Sequence, residues 1–280
     1  AWRLVSTSRG RLALCFRDRR QQRDEESVNV LKIFVGFDER QRVSFTTLAT
    51  SIFETASRPV SISPLVLHTL PITRRGLTPF TFSRFLVPWL CDFQGGAVFM
   101  DADMLLASDI TELEGLISDD VAVSVVRSLE TYEQTSFMLL NCEHPSHRKL
   151  TPEFIQETDM GLHTLKWVAP EEIGSLDPKW NQLVGYQEVD FTQGNIHYTM
   201  GIPAFPETST SPGAELWLKN AKLGMSAIPW DEIMGESVHA INIEGVRMPK
   251  YVWDFEKKHP KPEHMELVKK MVLAKRAQSK

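Results

Sequence analysis

The 280-residue sequence predicts an α/β protein with a mainly parallel sheet flanked by helices, and three observations carry that expectation. Short β-branched, apolar runs alternate with segments of helical periodicity through roughly the first half of the chain. One such run, Gly96-Ala97-Val98-Phe99-Met100, leads straight into Asp101-Ala102-Asp103, so two carboxylates fall where a buried strand gives out. The composition, 42% apolar and 24% charged, is ordinary for a chain able to bury one large core.

Taken in order, Val30 to Gly36 is β-branched and apolar and reads as the first buried strand. Phe45, Leu48, Ala49, Ile52 and Phe53 recur at three and four, which predicts an amphipathic helix. Pro59 to Leu67 gives a second strand, with Pro64 marking an end or a bulge. Phe82 to Leu90 has helical spacing that Pro88 must kink or end. The acidic strand follows, and Ser108-Asp109-Ile110-Thr111-Glu112 opens a helix as a capping segment should. Val121 to Val126 and Phe137 to Leu140 are two more strands, and right-handed crossovers are expected between them. Past about Thr151 the alternation weakens, with Ile196-His197-Tyr198 as one late strand.

The ends differ from the middle. Residues 1–27 hold seven arginines, four acids and no lysine, and are expected to form a disordered leader. Residues 28–210 are expected to carry the catalytic domain and 211–280 a helical C-terminal extension. Within that extension Met265, Leu267, Val268, Met271 and Val272 recur at helical spacing.

Several function classes lack support. A net charge of −5 provides no broad positive field for nucleic acid. No apolar stretch is long enough to span a bilayer. Cys15, Cys91 and Cys142 are widely spaced and form no Cys-x-x-Cys pair, which argues against a disulfide framework or a zinc site and for a reducing, cytoplasmic setting. Neither Gly-rich phosphate loop is present.

In open parallel sheets, ligands bind at the carboxyl ends of the strands. The first strand ends in Gly36-Phe37-Asp38, where glycine permits close approach and aspartate can accept hydrogen bonds from a base or ribose. The middle strand ends in Asp101 and Asp103. Ala102 is too small to screen the pair, so both can lean toward one hard cation that keeps positions free for phosphate oxygens. His197 on the late strand is a borderline ligand able to complete a Mn²⁺ sphere.

The order Gly36-Phe37-Asp38-Glu39-Arg40, Ser83-Arg84-Phe85-Leu86-Val87-Pro88, Phe99-Met100-Asp101-Ala102-Asp103, Lys179-Trp180-Asn181-Gln182-Leu183 and His197-Tyr198-Thr199-Met200-Gly201 resembles the family 8 glycosyltransferases and their bacterial and phage relatives. The likeness covers residues 30–205. It implies the GT-A nucleotide-sugar transferase fold and a metal-dependent, retaining transfer of a hexose from a UDP-sugar to a saccharide, lipid-linked or protein acceptor. It also implies Mn²⁺ (or Mg²⁺) on Asp101, Asp103 and His197, with Arg84 holding the donor near Asp103. Gly36, Phe37, Asp38, Asp101 and Ala102 would line the nucleotide.

The sequence departs from that family in three places. Arg40-Gln41-Arg42 stand where an aromatic usually stacks on uracil. Ile202-Pro203-Ala204-Phe205 supplies no lysine for the diphosphate, which leaves Arg74 and Arg75 as candidate cations. No Asp-Gln pair lies beneath the sugar site, although Gln134, Ser136, Lys166 and Asn181 fall near those stretches. Trp167, Trp180 and Trp217 could stack on sugars, but core packing is tryptophan's more frequent fate. Two other readings are a relative that binds nucleotide-sugar or glycan without turnover, and a haloacid-dehalogenase-type phosphatase. The latter fits Met104 and Leu105 poorly.

Overall fold

A computed structural model of the chain describes residues 30–127 and 131–225, the strands β1 (Arg3–Ser6) and β2 (Leu12–Cys15), the segments 240–243 and 246–249, and Lys270. It falls into two units, Ala1–Met225 and Ser226–Lys280.

Six strands make the main sheet of the first unit. They are β3 (Leu31–Gly36), β4 (Val60–Leu65), β5 (Gly96–Met100), β7 (Val123–Val125), β8 (Phe137–Asn141) and β9 (Ile173–Ser175), in spatial order β4-β3-β5-β8-β7-β9. A second sheet pairs β10 (Gln182–Leu183), β11 (Asn195–His197) and β6 (Met104–Leu106) in that order. The main sheet is mainly parallel, as expected. The exception is β8, which runs antiparallel to both β5 and β7. Phe137–Asn141 is buried at every position, so its apolar run carried no signal of direction.

Side chains alternate faces along each strand and build a core layer on either side of the sheet. Ile33 pairs with Ile62 and Val98, and Val98 with Leu139, forming one row across the sheet. That row joins Leu48 and Ile52 of the helix Arg42–Thr55 on one face, while Phe34, Phe99 and Met138 pack on the other. Leu48 and Ile52 are fully buried, each contributing about 1.5–3 kcal/mol of transfer free energy. The helix seats one residue off its apolar stripe. Its buried face is Ser44, Thr47, Leu48, Ser51 and Ile52, and Phe53 is 66% exposed. The hydroxyls make this burial tolerable, because Thr47 and Ser51 each donate to a carbonyl of their own helix at 2.8 Å. Ser51 Oγ also accepts from Leu106 N at 3.0 Å, which ties the helix to β6.

Two of the expected helices differ in detail from the sequence reading. The segment expected to be helical over 82–90 is a 3₁₀ turn, Ser83–Leu86, running into a single α turn, Val87–Leu90. The segment opened by Asp109 is 3₁₀, Ile110–Leu116, with Asp109 accepting from Thr111 N at 2.9 Å. Within residues 1–27, β1 and β2 pair antiparallel as a two-stranded sheet. The helix Ala214–Gly224 packs on the helix Arg42–Thr55 and belongs to the first unit. In the second unit, β12 (Ala240–Ile243) and β13 (Val246–Pro249) pair antiparallel. The amphipathic helix expected near the C-terminus lies outside the described residues apart from the helical Lys270. Among the described residues, no helix is long and apolar enough to cross a membrane.

Candidate functional site

The link between the two sheets is the acidic pair itself. β5 ends at Met100 and β6 begins at Met104, so Asp101-Ala102-Asp103 is the short bend that carries the chain from one sheet to the other. Backbone hydrogen bonds pin both ends of the bend. Asp101 N donates to Ser136 O at 2.9 Å, and Tyr198 N donates to Asp103 O at 2.9 Å. Antiparallel register sets His197 opposite Met104, which brings the imidazole to the bend. Its Nε2 lies 3.2 Å from Asp103 Oδ1. Ala102 is buried in the core and holds the bend down from beneath. Three residues chosen from strand exits far apart in sequence therefore meet: ligand atoms of Asp101, Asp103 and His197 all lie within 4.8 Å of one another.

Two carboxylate oxygens of this cluster, Asp101 Oδ1 and Asp103 Oδ1, are buried and accept no aligned hydrogen bond, although Arg84 Nη2 lies 3.1 Å from the first and His197 Nε2 3.2 Å from the second. Buried carboxylate oxygens with no aligned donor are costly, and a bound cation would meet that need. Two hard oxygens and one imidazole nitrogen are a donor set suited to Mn²⁺ or Mg²⁺. Burial pushes the Asp101 carboxyl up to about 7, against the pull of Arg84 and with the help of Asp103. Burial disfavours the His197 cation, but Asp103 together with Asp101 and Glu133 outweighs it and holds the imidazole above its ordinary value.

Arg84 lies beneath the pair. It is 5% exposed, and its Nη1 donates to Thr135 O at 2.8 Å. Nη2 lies 3.1 Å from Asp101 Oδ1 and 3.4 Å from Oδ2, and only the longer contact is aligned as a hydrogen bond. The guanidinium also sits 4.9 Å from the centre of the Phe99 ring. This arginine is thus a fixed charge next to Asp101 rather than a mobile surface cation.

The exit of β3 forms a separate part of the site. Phe37 and Asp38 line a cavity of about 480 Å³ with Arg40, Leu67, Arg75 and Thr78. A side chain at Gly36 would meet Phe80 at 2.5 Å, so the close approach that glycine permits here is made by the protein's own ring. Asp38 is held by Arg40, whose Nη2 donates to Oδ2 at 2.6 Å and whose Nε donates to Oδ1 at 3.0 Å. The hydrogen bond from Arg40 keeps the Asp38 carboxyl below its usual range. Of the two candidate cations, Arg75 lines the cavity, while Arg74 donates to Ile155 O and Thr158 O and covers the Phe82 ring. Trp167, Trp180 and Trp217 are all buried in the core.

Sequence reasoning missed the support behind His197. Asn181 Oδ1 lies 3.0 Å from Nδ1, with Ser136 Oγ at 3.5 Å and Glu133 Oε2 at 3.6 Å. Burial raises the Glu133 carboxyl. Asn181 and Ser136 stand near the stretches noted above, whereas Glu133 carried no local signal at all. A carboxylate in a polar loop looks solvated until the fold closes over it.

Comparison with known proteins fits this architecture. The apo structure of WbbM, a bifunctional glycosyltransferase, superposes with a TM-score of 0.56 at 14% identity over 73% of this chain and 51% of that one. The apo form of the glycosyltransferase GlyE from Streptococcus pneumoniae TIGR4 gives 0.52 at 15% identity over 71% and 63%. The chain spans about half of the first protein and under two thirds of the second. No protein-family model matches. The fold is the GT-A fold of nucleotide-sugar glycosyltransferases. Protein CDI of Arabidopsis thaliana is 36% identical over 220 residues, covering 67% of this chain and 84% of that protein. The chain belongs to the family of Protein CDI.

Proposed function

We propose that the protein is a metal-dependent glycosyltransferase of the family 8 type, moving a hexose from a UDP-sugar to an acceptor with retention of configuration. The observation that carries this reading is the meeting of Asp101, Asp103 and His197 at the junction of two sheets, with two buried carboxylate oxygens that accept no aligned hydrogen bond. In this reading residues 28–210 form the catalytic domain. Asp101, Asp103 and His197 hold Mn²⁺ or Mg²⁺, which when bound offsets charge on the diphosphate. Arg84 pulls Asp101 toward its ionised form, against burial, and adds fixed positive charge where the leaving group departs. Phe37 and Asp38 border the cavity that takes the nucleoside, and Arg75 is the cation there that can reach a phosphate. The free thiols of Cys91 and Cys142 fit a reducing, cytoplasmic setting.

A second reading is binding without turnover. It is favoured by the engagement of Arg74 in structural hydrogen bonds and by the lack of a lysine in Ile202-Pro203-Ala204-Phe205. Losing one leaving-group contact costs about 3 kcal/mol, or on the order of a hundredfold in rate. Slow UDP-sugar hydrolysis without acceptor is therefore expected, and Arg84→Ala reduces it steeply. Calorimetry with UDP, with and without Mn²⁺, tests the site. Asp103→Ala abolishes the metal-dependent part of binding while the protein still melts cooperatively. Unchanged UDP affinity in EDTA and in the variant overturns the assignment. Tight Mn²⁺-dependent binding with no UDP release from UDP-glucose, UDP-galactose or their N-acetyl forms selects the second reading.

A further inference from the structure

Asn181 closes the 3₁₀ turn Pro178–Asn181 and is 1% exposed. Its amide can be oriented without ambiguity. Nδ2 donates to the Glu133 carbonyl oxygen at 3.0 Å and to Ser136 Oγ at 2.9 Å. A backbone carbonyl only accepts, so the end of the side chain facing it is the NH₂ group. The other end is the oxygen, and it lies 3.0 Å from His197 Nδ1. Two acceptors do not meet at that distance, so Nδ1 carries a proton. With Nδ1–H committed to Asn181, Nε2 faces Asp103 Oδ1 at 3.2 Å, and it is the nitrogen whose proton is given up when the ring is neutral or a cation takes its place.

We infer that Asn181 is a positioning residue that fixes His197 as the Nδ1–H tautomer and aims Nε2 at the acidic pair. The inference rests on the metal reading given above for its purpose, but not for its geometry. Nothing in Asn181 touches the cation or the sugar. It acts through the ring it holds, and the ring has little freedom because His197 is 2% exposed and Ser136 crowds the same edge. Partners of this kind orient a ligating imidazole and raise its basicity, and removing one costs about 10–100-fold in metal affinity.

Two measurements on the full chain decide it. Long-range ¹H–¹⁵N spectra of histidine-labelled protein, taken without metal at a pH where the imidazole is neutral, place the proton of His197 on Nδ1. The signal is assigned by its loss in His197→Gln. Titration with Mn²⁺ alone, followed by electron paramagnetic resonance, gives about 10–100-fold weaker binding for Asn181→Leu. In metal-free Asn181→Leu the His197 proton also leaves Nδ1 or exchanges between the two nitrogens, a change that a merely structural role would not produce. A wild-type proton on Nε2 overturns the inference, as does a folded Asn181→Leu that binds Mn²⁺ like the wild type. If Asn181→Leu does not fold, the wild-type spectrum decides alone. Nδ1–H in a wild type that takes up no Mn²⁺ upholds the positioning and overturns the metal reading instead.

Discussion

His147 shows how a buried polar side chain can be recognised as structural. Its Nε2 donates to Ala122 O at 2.8 Å and its Nδ1 accepts from Trp167 Nε1 at 3.3 Å. Only the neutral ring satisfies both, because a second proton would face the indole N–H. Burial accordingly lowers its pKa from 6.5 to about 4. The unfolded chain takes up this proton on acidification before the folded protein does. Stability from His147 is therefore complete above pH 6.5 and drains away toward pH 4, by about 3 kcal/mol. Urea unfolding at pH 7 and pH 4 should show the wild type losing that much more stability than His147→Gln; equal losses would refute it. At the same scale, Asp101, Asp103 and His197 were legible in the sequence because each sits at the end of an apolar run. Asn181 and Glu133 were not, since their roles arise from neighbours 16 and 64 residues away along the chain, across contacts that no local pattern encodes.

Elements were most legible where burial was one-sided or complete over several residues. β3 and β5 fall within a residue of their expected spans because β-branched apolar runs have few other fates. The helix Arg42–Thr55 was found, with Leu48 and Ile52 on its buried face as expected, but that face is turned toward Ser44, Thr47 and Ser51 and away from Phe53. Small hydroxyl residues that bond their own backbone can line a close helix–strand contact, and a hydrophobicity count assigns them to solvent. Glycine at an element boundary is a comparable case. Gly194 enters β11 with φ +73°, and a Cβ there would strike the carbonyl of Lys179, in the turn that carries Asn181. Gly194→Ala should therefore both destabilise the protein and weaken Mn²⁺-dependent UDP binding. The strain alone is worth about 1 kcal/mol, with the backbone clash added to it, so a fall of at least about 2 °C in Tm is expected. A thermal melt and UDP calorimetry matching the wild type would show that the turn yields freely.

For the molecule as a whole, the α/β class and the mainly parallel sheet were readable from the alternation of apolar runs with helical periodicity. The reversed strand was not, because direction is set by how the chain returns to the sheet and not by the residues within the strand. The division into two sheets was also hidden, since β6, β10 and β11 are only two or three residues long. The reversal has a consequence for how the protein is made. Along the chain β7 precedes β8, yet in space β8 lies between β5 and β7. A ribosome that has released β7 but still encloses β8 holds out two apolar strands with no neighbour on their facing edges, the situation that invites chaperone capture or mispairing. Force profiling of arrested nascent chains should show no folding signal while Asn141 remains in the exit tunnel, and a signal only after β8 has slotted into the gap left for it. Folding force from shorter nascent chains would mean that the sheet assembles in halves and is closed from the outside.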